Sequence, residues 1–132
     1  MRRVVVESPL SADTPEGFES NREYARACCR DCLLNYGEAP FASHLLYDQP
    51  GLLHDTVPRE RDLGIKAGLE YSKDADATIV YTDRGISSGM KHGIEAANKC
   101  SRPIEYRELG AANARAAKPT IPSSGGRSQE PR

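Results

Sequence analysis

Apolar and polar positions along the chain follow two periods, and the switches between them mark out the elements. Arg3-Val4-Val5-Val6-Glu7 is a β-branched run that stops at Ser8-Pro9, so it reads as a strand. The polar stretch 10–19, with Pro15 and Gly17, reads as a loop. Over 20–36 the three-and-four spacing of Tyr24, Ala27, Cys28, Asp31 and Leu34 predicts a helix that Gly37 ends. A short strand is expected over 38–43, with Pro40 keeping its first half out of a central ladder position. His44 then opens a long loop to Val57. Pro58 starts a helix to about Lys73, with Leu63, Ala67 and Glu70/Tyr71 down one side and Ile65 and Leu69 widening the stripe. Ala77-Thr78-Ile79-Val80-Tyr81-Thr82 is a continuous apolar and β-branched run, as a central strand covered on both faces would be. A turn over 83–87 leads into a helix over 88–100, and Pro103-Ile104-Glu105-Tyr106 is a last strand. The alternation β-α-β-α-β-α-β predicts right-handed crossovers. It gives a small doubly wound α/β domain, Rossmann-like or flavodoxin-like, with a parallel sheet of four to five strands and helices on both faces.

Composition limits this picture. The chain has 132 residues with 18 Lys+Arg against 19 Asp+Glu and 38% hydrophobic residues, which suits one small domain. A change at Gly110 divides it into a folded 1–110 and a basic tail, 111–132, rich in Pro, Ser and Gly. The folded part carries 14 basic against 18 acidic residues, so nucleic acid is not an expected partner. No apolar run approaches the ~20 residues of a membrane span. Val4-Val5-Val6 is too short for a secretory segment, and a cytoplasmic setting is expected. Cys29-Arg-Asp-Cys32 is a C-x-x-C in mid-helix without further ligands at zinc spacing, so Cys28, Cys29, Cys32 and Cys100 read as ordinary reduced thiols. No metal site and no cofactor is expected.

Ligands of such sheets sit outside the carboxyl ends of the strands. The first strand delivers Glu7, Ser8 and Pro9 there, the second Ser43 and His44, and the third Thr82 and Asp83. The turn Thr82-Asp83-Arg84-Gly85-Ile86-Ser87-Ser88-Gly89-Met90 carries the clearest local chemistry. Gly85 and Gly89 admit close backbone approach, Ser87 and Ser88 offer hydroxyls, and a helix start favours a phosphate or another anion. The same features serve a plain capped helix start, with Ser87 or Ser88 as N-cap. Arg59 and Arg61 stand at the start of the second helix, where a cation is unfavourable by the macrodipole; an ion pair or an anionic ligand would account for them. The expected binding set is Ser8, Pro9, Ser43, His44, Arg61, Asp83, Gly85, Ser87, Ser88, Gly89 and Met90, with Asp83 and His44 as candidate acid–base groups. Gly64 and Gly68, and Gly89 and Gly93, are spaced by one helical turn and call for close neighbours.

From Val4 to Leu109 the chain resembles the nucleoside 2-deoxyribosyltransferase-like superfamily, and most closely its DUF4406/DUF7768 branch, common in phage and bacterial genomes. The matching stretches are Ala39-Pro40-Phe41-Ala42-Ser43-His44-Leu45, Pro58-Arg59-Glu60-Arg61-Asp62-Leu63-Gly64-Ile65, Ala75-Asp76-Ala77-Thr78-Ile79-Val80-Tyr81, Gly85-Ile86-Ser87-Ser88-Gly89-Met90 and Arg102-Pro103-Ile104. The resemblance implies a flavodoxin-like sheet and a nucleoside or nucleotide pocket, often completed by a homo-oligomer. Matched without gaps back from Pro103, Gly93 falls where the transferases carry a nucleophilic helix glutamate. Glu95 lies two residues on, about 200° round the helix. The expectation is a binder of a nucleoside- or nucleotide-derived small molecule. In a phage setting it would sequester an ADP-ribose-type or cyclic-nucleotide immune signal. The alternative is an N-glycoside hydrolase or deoxyribosyltransferase-like enzyme working through Asp83, His44 or Glu95. A third reading is an interaction module that recruits its partner through the basic tail.

Overall fold

The structure, a computed structural model, describes residues 1–110; the basic segment 111–132 lies outside the described residues. Four strands, β1 (Arg3–Glu7), β2 (Ala39–Phe41), β3 (Ala77–Tyr81) and β4 (Ile104–Arg107), form one sheet in the order β2-β1-β3-β4. All neighbours are parallel, with Val5 opposite Phe41 on one side and Thr78 on the other. Four helices connect them: α1 (Pro15–Asn35), α2 (Ser43–Tyr47), α3 (Pro58–Tyr71) and α4 (Ser88–Lys99). This is the α/β doubly wound sheet the alternation predicts. Strand direction of travel reverses between β1 and β3, so the crevice expected for a ligand lies over those two strand ends.

The two faces of the sheet are covered unequally. Val4, Val6, Ile79 and Tyr81 point to one face and pack with Tyr24, Cys28 and Cys32 of α1 in the main core. Beneath the end of α1 the Arg107 guanidinium stacks on Tyr36 at 3.5 Å and pairs with buried Glu38, which also takes Arg2. Arg107's hydrogen bonds, with those of Arg2, overcome burial and hold the Glu38 carboxyl at about 2. Val5, Thr78 and Val80 point to the other face, as strand alternation requires, and α3 and α4 lie there. From α4, Met90, Gly93 and Ala97 are buried; from α3, Gly68 alone is.

Three stretches differ from the sequence pattern. The loop expected over 10–19 ends at Thr14, whose side chain caps α1 by accepting from the Gly17 amide at 3.0 Å, with Pro15 in the first turn. Pro15 and Gly17 read as breakers, yet proline suits a helix start. The long loop from His44 begins instead as the five-residue helix α2. Its remainder is pinned by Asp48, which accepts from the Asp55 amide at 3.1 Å and pairs with Arg22, and by Glu60, which accepts from the His54 amide at 2.7 Å. On α3 the expected apolar stripe turns inward only in part: Ile65 and Ala67 are half-buried, whereas Leu63, Leu69 and Tyr71 are exposed. The helix packs closest along its glycine edge. A methyl at Gly68 would stand 2.7 Å from Ser43 Cβ.

Candidate functional site

The β3–α4 turn is built mainly from its own hydrogen bonds. Asp83 accepts from the Tyr24 hydroxyl at 2.6 Å and from the amides of Leu109 (3.0 and 3.1 Å) and Gly110 (3.0 Å). Burial works to raise its carboxyl, but these donors outweigh it and hold it below the usual carboxylate range. Asp83 thus latches the chain that leaves β4. Gly85 takes φ +80°, a left-handed conformation that glycine adopts without penalty. Ser87 caps α4, its hydroxyl accepting from the Met90 amide at 3.2 Å while its own amide donates to Met90 Sδ at 3.4 Å. Met90 is buried, whereas Ser88 is exposed. Arg61 reaches across from α3, with Nη2 3.8 Å from where a Gly89 Cβ would stand and Nε 3.6 Å from Asp55 Oδ1.

Open space lies instead over the end of β1. A small crevice of about 60 Å³, open to solvent at its mouth, runs between α3 and α4. Phe41 and Leu69 form apolar walls, Gly68, Gly89 and Gly93 leave it wide, and Ser43, His92 and Arg102 add polar groups. Glu7 supplies its one carboxyl. It shares a strand face with Val5, and its carboxylate fills the place a side chain at Gly93 would take: a methyl there would overlap it. It has no hydrogen-bond donor among the described residues. Burial drives its titration from 4.5 up to about 8, against the attraction of Arg102. Arg102 spends Nη1 on Thr78 Oγ1 at 3.1 Å and Nη2 on the Ser72 carbonyl at 2.8 Å, leaving a buried Nε without a partner.

The family is decided by extent: the DUF7768 profile, described as a domain of unknown function, matches residues 2–107. This chain belongs to the DUF7768 family. No curated protein and no solved structure matches it.

In this DUF7768 domain Ser8 and His44 come together, Ser8 Oγ 3.4 Å from His44 Nε2, beside the crevice rather than over β3. Burial lowers the imidazole to about 4, so it is neutral near pH 7. Ser8 and Pro9 are buried. Ser43 and His44 also line a second, open hollow of about 50 Å³ between α2 and α3, with Tyr47, Asp48 and Arg61. Ser43 joins the two hollows. Of the expected binding set, Ser43 and Gly89 therefore line the crevice, with Arg61 against it. Asp83, Ser87 and Met90 hold the turn, Gly85 turns it, and Glu95 is exposed on α4. The group outside that set is Glu7, and its signal was its parity with Val5 on a strand whose end lies at the reversal point. All four cysteines are free, and burial raises the thiols of Cys28, Cys29 and Cys32. Among the described residues no group of three or more His, Cys, Asp or Glu could hold a metal, and no helix is long and apolar enough to cross a membrane.

Proposed function

We propose that the domain binds a nucleoside- or nucleotide-derived small molecule in the crevice between α3 and α4. The observation that carries this reading is the unpartnered Glu7 carboxyl in an open hollow at the β1/β3 reversal point. Two further features support it. The amides of Ser88 and Gly89 in the first turn of α4 have no carbonyl behind them in the helix, and the Arg61 guanidinium stands beside them. They suit a phosphate at the rim. The resemblance to the nucleoside 2-deoxyribosyltransferase-like superfamily agrees in ligand class, and an ADP-ribose-type or cyclic-nucleotide signal carries both a base and phosphates. Isothermal titration of the full chain with adenosine, ADP-ribose and cyclic nucleotides is the test. Saturable heat is expected from at least one, weakened in Arg61→Ala. Flat traces for all of them at millimolar ligand would rule the reading out.

One observation favours enzymatic N-glycoside cleavage as a second reading. A carboxyl titrating near 8 is a proton donor at neutral pH. Free base released from nucleosides, seen by chromatography and abolished in Glu7→Gln, would decide for catalysis. A homo-oligomer belongs to the same proposal, because α3 buries only Gly68 while Leu63, Leu69 and Tyr71 are 55%, 40% and 73% exposed. Sedimentation should give a dimer or larger, and Leu63→Asp should shift it to monomer.

A further inference from the structure

A half-buried carboxylate needs donors, and Glu7 accepts from none among the described residues, although Ser43, Ser72 and His92 line the same crevice. Beside them α3 presents Gly68 and Leu69, and β2 presents Phe41. Gly93 presents only Cα against the carboxyl. Arg102 has turned its terminal nitrogens to Thr78 and Ser72 and makes no ion pair with Glu7. Such surroundings suit an uncharged acid, which offers one O–H donor beside one carbonyl acceptor.

We infer that Glu7 is the specificity-determining group of the crevice and meets its guest as a neutral carboxylic acid, pairing with an adenine-type edge in which an amino N–H stands beside a ring-nitrogen acceptor. This rests on the ligand reading proposed above and adds which part of the ligand enters. A glutamine amide pairs with adenine through the same donor–acceptor layout. A phosphate offers acceptors only and belongs at the rim, by Arg61. The neutral form predominates at pH 7 because burial raises the Glu7 carboxyl to about 8. The other titratable or charged groups that line the crevice with it are His92 from α4 and Arg102 ahead of β4, while Arg61 from α3 stands against Gly89.

Glu7→Gln separates these contributions, since it keeps donor and acceptor at every pH and leaves His92, Arg102 and Arg61 in place. Calorimetry would use adenosine, N6,N6-dimethyladenosine, which lacks the amino donor, and ribose 5-phosphate, which lacks the base. The wild type should bind adenosine at neutral pH and the other two at least about tenfold more weakly. Above about pH 8 its adenosine affinity should fall roughly tenfold per pH unit, as the competent fraction falls. Glu7→Gln should hold adenosine within about threefold and lose that pH dependence, while Glu7→Ala should lose about tenfold or more. If Glu7→Ala fails to fold, the pH profile of Glu7→Gln decides alone. Adenosine binding that Glu7→Gln destroys, or that ignores both substitutions, overturns this inference and leaves the proposed function standing. No binding of any nucleoside or nucleotide overturns both.

Discussion

Gly68 and Gly93 both lie inside helices, where glycine costs about 1 kcal/mol relative to alanine, and a different kind of neighbour keeps each one small. At Gly68 the neighbour is Ser43 Cβ, 2.7 Å from where a methyl would stand and fixed to its own backbone. Gly68→Ala should therefore destabilise the domain by about 1–3 kcal/mol, read as a lower urea midpoint. At Gly93 the neighbour is the far end of the Glu7 side chain, which can swing away. Gly93→Ala should fold, displace the carboxyl and weaken ligand binding. In a Glu7→Ala background the same change should become stabilising, by up to about 1 kcal/mol of recovered helix propensity. A double-mutant cycle in urea measures the difference, and additive values would mean that the two residues do not meet. The glycine spacing was legible in the sequence as a demand for close neighbours. The identity of those neighbours was not, because it depends on how β1 and α2 are set against α4 and α3, a tertiary register that no local period encodes. For the same reason Glu7, though placed at the end of the first strand, was left out of an expected binding set that began at Ser8.

Strands and long helices were legible because burial on two faces writes continuous apolar runs, and proline and glycine punctuate their ends. The errors fall where one residue type serves two purposes. Pro15 reads as a breaker but sits in the first turn of a helix capped by Thr14. The apolar residues of α3 read as one inward face, yet its glycine edge packs closest, Ile65 and Ala67 are half-buried and Leu63 stands outside. The β3–α4 turn shows the same ambiguity. Its composition suits an anion or a capped helix start, and most of its polar atoms are spent within the turn. Asp83 belongs to the fold through Tyr24 and the amides of Leu109 and Gly110. Asp83→Ala strands those donors and should cost about 1–3 kcal/mol. Its partner Tyr24 lies in the core on the α1 face, opposite the crevice, so nucleoside affinity of the folded fraction should change little. A variant with full stability and no binding would reverse this assignment and return Asp83 to the ligand.

Among the described residues three titratable groups shifted by the fold, buried Glu38 and half-buried His44 and Glu7, set a stability profile with opposing slopes. Glu38 is lowered from 4.5 to about 2 by its arginines, so its contribution is present above pH 4.5 and is lost as pH falls toward 2. His44 is lowered from 6.5 to about 4 by burial. The unfolded chain takes up that proton first, so this contribution is complete above pH 6.5 and is lost on acidification toward 4. Glu7 runs the other way. Raised from 4.5 to about 8, it binds its proton more tightly in the fold, so stability falls as pH rises through that window. Each group contributes a slope of at most about 1.4 kcal/mol per pH unit. Where the His44 and Glu7 windows overlap, the two slopes oppose each other and the profile should be broad. Above the His44 window the Glu7 slope stands alone, so wild-type stability should decline toward pH 8. Glu7→Gln should abolish that decline and unmask the rise that His44 sets on the acid side. Urea midpoints taken at half-unit steps of pH read both limbs. A wild type that grows more stable between neutrality and pH 8 would mean that Glu7 is ionised and solvated, not enclosed between α3 and α4.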